Sequence, residues 1–253
     1  VPPEGAARRE GGEGVMSQEE KEVLREGIEG VSPRPTPAPV NPRVRFLYAK
    51  RGAACFLSHA DLPVLFGRAA RRAGLSVSLT QGFSPHPKVS LGPPLPVGVV
   101  GCGEPLEVWF DDWEPRAAGR FGAVLPPGFS LLGAEEVQGS SLASLCKAGA
   151  YRLFFHEPVD REGAAEDLRT CEAAAPCVRR VRPEGDGLSL VLLDPDRYGA
   201  SHLVRWLAAA GRISGWGDLL VVRERLGGWN DETEEVLELM RPGTPDPSEE
   251  AVL

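Results

Sequence analysis

The sequence predicts an α+β chain: two β-α-β-β-α-β units in tandem, between a disordered head and a disordered tail. Three observations predict it. Short runs of alternating apolar and polar residues recur as strands. Amphipathic stretches of helical period separate them, in the same order twice. The 24 Pro and 30 Gly among 253 residues supply frequent turns. The β-α-β-β-α-β order is the ferredoxin-like one. Residues 1–42 are assigned to a head and Pro-rich linker, 43–140 to the first unit, 141–240 to the second and 241–253 to the tail. No internal sequence repeat relates the units, so the pattern alone carries the duplication; one mixed α/β domain is the alternative.

In order along the chain, residues 18–28 suit a short charged helix. Residues 32–42 (SPRPTPAPVNP) suit an extended spacer, because proline fixes φ and supplies no backbone donor. Val44, Phe46 and Tyr48 alternate with polar neighbours as a strand, followed by a turn at Lys50-Arg51-Gly52. Ser58 opens a helix, with Asp61 three residues on as a capping box. Leu62, Leu65, Phe66, Ala69 and Ala73 share one face, and Gly74 stops the helix. Pro63, early in the run, allows a start at Asp61 instead. Residues 75–79 read as a second strand, 97–100 and 106–110 as further strands, 115–125 as a helix and 130–137 as a closing strand. The second unit reads as strand 151–155, helix 161–174, strands 178–181 and 188–193, helix 198–210 and strand 219–225. Residues 230–240 suit a last acidic helix, and the polar run after it suits disorder.

An apolar fraction of 42% with 25% charged residues provides a packed core. No apolar run approaches the roughly 20 residues of a membrane helix, and no basic-then-apolar leader opens the chain, so a cytoplasmic protein is expected. The five cysteines are scattered and never form C-x-x-C. That pattern argues against a disulfide framework, a zinc ribbon or an iron–sulfur cluster held by this chain alone, so neither metal nor cofactor is expected of it. Net charge is -8, which argues against general nucleic-acid binding over the whole surface. The distribution is uneven. Residues 43–90 carry Arg43, Arg45, Lys50, Arg51, Arg68, Arg71, Arg72 and Lys88 against the single acid Asp61. A basic segment inside an acidic protein is the pattern of a local anion site.

Three runs stand out: RFLYAKRG from Arg45, FLSHADL leading to RAARRAGL from Phe56, and QGFSPHPKVSLGPPLPVG from Gln81. Together they resemble the radical SAM-linked protein family that carries the DUF2344 domain. Its members are similar in a Lys/Arg-Gly turn, a Ser-His-x-Asp helix start, an Arg-Arg helix end and a Gly-Phe-x-Pro-His-Pro-Lys loop. All four stand in this chain, with Ala60 and Pro63 departing from the usual residues. The resemblance implies a companion of radical SAM enzymes, fused to one or encoded beside it, and names no settled catalytic activity.

Arg68, Arg71 and Arg72, at i, i+3 and i+4, share the face opposite the apolar stripe. They suit an anion or an acidic partner, or simply a solvated helix end. In the loop, Pro85 and Pro87 bracket His86, Gly82 permits a close approach, Lys88 adds a charge and Phe83 a stacking face. His59 follows the cap residue Ser58. His59 facing His86 would make an acid–base pair, and Asp61 would cap the helix or orient a histidine. The expected function is an RNA-directed accessory module for a radical SAM enzyme on a separate chain, with Lys50, Arg51, Arg68, Arg71, Arg72, Phe83 and Lys88 holding phosphate and substrate. The rivals are an enzyme using His59 and His86, and a protein-docking domain for the radical SAM partner. No membrane partner is expected.

Overall fold

The computed structural model describes residues 41–240. The proposed head, Pro-rich linker and tail therefore lie outside the described residues, save for Asn41 and Pro42. The fold is mixed α+β, built on one nine-stranded sheet. The first half runs β1 (Arg43–Lys50), α1 (Leu62–Arg72), β2 (Val89–Leu91), β3 (Val100–Trp109), α2 (Ala117–Ala123) and β4 (Phe129–Glu136). A short helix, α3 (Leu142–Leu145), leads into the second half. There follow β5 (Ala148–Phe155), α4 (Arg161–Thr170), β6 (Val178–Glu184), β7 (Gly187–Leu193), α5 (Ala200–Ala209), β8 (Leu219–Asn230) and β9 (Glu235–Glu238).

The sheet order is β4-β1-β3-β8-β5-β7-β6, with β2 on β3 and β9 on β8. Within each half every pairing is antiparallel. One short parallel contact, Val100 with Val222 and Gly101 with Arg223, joins the halves. Alternation decides which face is covered. Phe46, Tyr48, Leu106 and Val108 point to α1 and α2, where Leu62, Phe66 and Phe121 complete a core. Tyr151, Leu153, Leu188 and Leu190 point to α4 and α5, where Leu168, Leu203 and Leu207 do the same.

The opposite face differs between the halves. In the first half the chain covers it. Arg45 and Glu107, both buried, pair there, Arg45 donates to the Leu239 carbonyl at 3.4 Å, and Arg43 donates to the Gly139 carbonyl at 3.0 Å. Leu142, Cys146, Leu226 and Leu239 form a small apolar cluster over this junction. In the second half, this face carries an open cleft among the described residues.

Three expectations need correction. The second strand is Val89–Leu91, not 75–79. Val77 and Leu79 make only single bridges, to Phe110 and Pro87, because the run of Gly82, Pro85 and Pro87 breaks the ladder before it extends. Residues 97–100 and 106–110 do not hold two strands; one strand spans Val100–Trp109. Residues 230–240 are not helical. The Asn230 side chain accepts from the Glu232 and Thr233 amides at 2.9 and 3.2 Å, an Asx turn that sends Glu235–Glu238 back along β8 as a strand. The helix start follows the Asp61 option. Ser58 caps only a short turn at His59–Asp61, its Oγ accepting from the Ala60 amide, and α1 begins at Leu62.

Candidate functional site

Two groups of family-motif residues lie in different environments. The first is interior, on the helix-bearing face where the two halves meet. The β1–β3 ladder slips between Tyr48 and Lys50, setting Lys50 against Gly101. Lys50 is fully buried. Its Nζ donates to the Leu57 carbonyl at 2.9 Å, and no carboxylate among the described residues pairs with it. Burial holds its pKa below the usual lysine value. Beside it, Arg223 of β8 is fully buried. It forks onto Glu104, with Nε 3.0 Å from Oε1 and a second bond to Oε2. It also donates to the Pro93 carbonyl at 2.8 Å, the Pro94 carbonyl at 3.3 Å and the Tyr151 hydroxyl at 3.5 Å. Glu104 stands opposite Tyr48 in the ladder, and burial followed by that carboxylate pushes the Tyr48 hydroxyl up.

His59 borders this cluster. Burial, and then the Arg223 charge, hold its pKa below the ordinary 6.5. Its Nδ1 is buried with no hydrogen-bond partner. Arg51 and Ser58 are exposed. Asp61 is exposed and makes no cap bond.

The second group is a surface. Gly67 of α1 is bare because Pro87 sits on it: a Cβ there would lie 2.6 Å from Pro87 Cγ. This contact lays the 81–88 loop along α1 at a position flanked by Arg68 and, one turn on, by Arg71. The loop is tied by Thr80 N–H to the His86 carbonyl at 2.8 Å and by Lys88 N–H to the Ser78 carbonyl at 2.7 Å, and by His86 N–H to Thr80 Oγ1 at 3.0 Å. Gly82 has φ +136°, which favours glycine. Phe83 and His86 are exposed, with no apolar cover for the Phe83 ring. The Lys88 ammonium stands 4.7 Å from the centre of the Trp109 ring. Arg68 and Arg71 are exposed. Arg72 is exposed too, but donates to the Val124 carbonyl at 3.0 Å, tying α1 to the end of α2.

The structure thus seats the loop that carries Gly82, Phe83 and His86 against the helix that carries Arg68 and Arg71, turns Lys88 to Trp109 on the opposite face of the sheet, and sets Lys50 and His59 apart from both. Lys50 is no member of an exposed phosphate-holding set, because it continues the Val44-Phe46-Tyr48 alternation onto the helix-bearing face, where it is fully buried. No hydrogen bond joins His59 to His86: one borders the interior cluster and the other stands in solvent. Glu104 and Arg223 escaped the sequence reading. Their signal was a charge at a core position of a strand, in GCGEPLEVW and LLVVRERL. The cysteines are free, with Cys55, Cys146 and Cys177 buried. Burial pushes the Cys146 and Cys177 thiols up to about 12 and about 11, which disfavours a nucleophilic thiolate at neutral pH.

Comparison with protein families matches residues 43–182, more than half of the chain, to the family described as "Uncharacterized protein conserved in bacteria (DUF2344)". The chain belongs to the DUF2344 family. No curated protein matches it. The DUF2344 match spans β1 through most of β6 and therefore includes both residue groups, but it ends before Arg223 on β8, the strand that completes the interior cluster. No helix of the described residues is long and apolar enough to cross a membrane.

Proposed function

We propose that this DUF2344 chain is an RNA-directed accessory module, acting in the cytoplasm with a radical SAM enzyme on a separate chain. The observation that carries the RNA reading is the seat of Pro87 on Gly67. It sets two cationic helix residues beside the loop that carries a histidine and a fully exposed phenylalanine. Cations spaced along a surface suit phosphates, and an uncovered ring beside them suits a base, since stacking on an aromatic face is indifferent to sequence. The radical SAM link rests on the motif resemblance. The strand orders β4-β1-β3-β2 and β8-β5-β7-β6 support reading each half as a ferredoxin-like unit.

The test is binding of a single-stranded RNA to wild type and Phe83→Ala. Loss of one stacked base is expected to weaken binding by about 1–3 kcal/mol with an unchanged melting temperature. Equal affinity would remove Phe83 as a base platform.

A second reading, docking of the partner protein, is favoured by one observation. Phe56 is 73% exposed and Val97 52%, and the Gly98 amide donates to the Cys55 carbonyl at 2.9 Å, which keeps their two segments adjacent. A salt-insensitive complex with the radical SAM chain, lost in Phe56→Ser, would favour it.

A further inference from the structure

The second half carries a site that neither group of motif residues touches. On the sheet face away from α4 and α5 lies a cleft of about 350 Å³, bounded by β5, β6, β7 and the β8–β9 hairpin. That volume is at the lower end of the roughly 300–1,000 Å³ of small-molecule sites. Four arginines line it: Arg152, Arg180, Arg182 and Arg225. Glu184, Glu224, Glu234 and Glu235 line it as well, and Ala150, Val191 and Val236 supply apolar surface.

Three independent features mark the cleft as more than a gap. Arg152 is fixed in the cleft wall, its Nη2 donating to Glu184 Oε1 at 2.9 Å and its Nε 3.2 Å from Glu224 Oε1, which builds the wall around a set of charged groups. Arg180 and Glu234 have φ +51°, and they are two of only three non-glycine residues with positive φ among the described residues. They lie against each other, Arg180 Nη1 donating to the Glu234 carbonyl at 3.1 Å, and strain of this kind gathers at ligand sites. Around the Arg152 pairs the other ion pairs of the cleft are loose: Arg182–Glu184 is 3.5 Å, Arg180–Glu235 3.9 Å and Arg225–Glu238 3.8 Å. The side chains of Arg182 and Arg225 are 60% and 56% exposed, free to exchange a distant carboxylate for a closer anion.

The geometry points to a site for one nucleotide, its phosphate held by Arg182 and Arg225 and its amino-bearing base by the cleft glutamates. Guanidinium forks match phosphate oxygens bidentately. The equal presence of carboxylates excludes a pure polyanion site and calls for a ligand that also donates; carboxylates accept from the exocyclic amino group of cytosine, and the amino group of adenine offers the same chemistry. The site stands apart from the proposed RNA surface, since mononucleotide binding does not depend on Arg68, Arg71 or Phe83. The two readings therefore fail separately.

The experiment is calorimetric titration of the full chain with CMP, AMP, UMP and inorganic phosphate, beside a five-nucleotide RNA. CMP or AMP is expected to bind saturably, at least about tenfold tighter than UMP or phosphate. Arg182→Ala/Arg225→Ala should lose about tenfold or more, at an unchanged melting temperature, and Glu184→Gln should lose the preference for the amino-bearing bases. If the RNA binds with the same sensitivity to the arginine variant, the nucleotide comes from RNA; if only mononucleotides bind, it is free in solution. Equal affinity of wild type and the arginine variant, UMP or phosphate binding as tightly as CMP and AMP, or no binding of any nucleotide at millimolar concentration would each overturn the assignment.

Discussion

Arg223 and Glu104 hold the two halves together through a pair that neither residue can leave cheaply. With Arg223 fully buried and bonded to carbonyls of the Pro93–Pro94 turn, removing the carboxylate strands a guanidinium in the interior. Glu104→Gln is expected to cost about 3–5 kcal/mol in urea denaturation, while Glu104→Met/Arg223→Met recovers most of that loss, because the uncompensated charge goes with its partner. A cost below about 1 kcal/mol for Glu104→Gln would show that the pair does not carry the junction. His59 adds a dependence on pH. Its folded pKa lies below the ordinary 6.5, so the unfolded chain takes up the proton first. The stabilising contribution is complete above 6.5 and is lost as pH falls through the lower folded value. As pH falls below 6.5, wild type should lose stability that His59→Leu retains; parallel curves would contradict the burial of its ring nitrogen. These residues also show where reading the sequence stops. The motif marked Lys50 and His59 as important, and the Phe46-Tyr48-Lys50 alternation carried the inward direction of Lys50, which the turn expected at Lys50-Arg51-Gly52 hid. Arg223 lies about 120 residues from its partner, a separation that no periodicity reveals.

At the scale of elements, α1 and the loop that crosses it act as one unit through Gly67. Helix propensity alone would make Gly67→Ala stabilising by about 1 kcal/mol. The added Cβ would stand 2.6 Å from Pro87 Cγ, an overlap of the kind that costs about 1–3 kcal/mol. The expected outcome is a net loss of stability with faster proteolysis within residues 81–88. A gain in stability with an equally protected loop would mean that the contact is soft. The helices were legible because amphipathic period and stop signals are local: Gly74, at φ +73°, ends α1 where expected. The second half was legible nearly element by element, since its strands are long and alternate. The errors fell where tertiary pairing overrode a local pattern. Residues 75–79 alternate like a strand yet find only isolated bridges, and the acidic run after Asn230 looks helical until the Asx turn returns it to β8.

For the molecule as a whole, continuity of the sheet decides which surfaces are left for partners. All helices of both halves' cores lie over one face, and residues near Gly139 and Leu239 close the other face of the first half. That leaves the α1–loop surface as the exposed basic ground of the first half and the arginine-lined cleft as that of the second. On the proposed RNA reading, a chain with a net charge of -8 would hold RNA only through such a local cluster, so binding should be weak overall and steeply dependent on salt. Arg68 and Arg71 are the pair to remove, since Arg72 is engaged with Val124. The most direct measurement is the affinity for single-stranded RNA across a salt series, wild type against Arg68→Ala/Arg71→Ala, with melting temperatures as control. Each lost phosphate contact lowers the magnitude of the slope of log K against log salt by about 0.7. The double variant should therefore bind more weakly at low salt, with a slope shallower by somewhat more than 1, and melt as wild type does, because exposed substitutions shift stability by within about 0.5 kcal/mol. Equal affinity and equal slope in the two proteins would contradict RNA phosphate as the ligand of this surface.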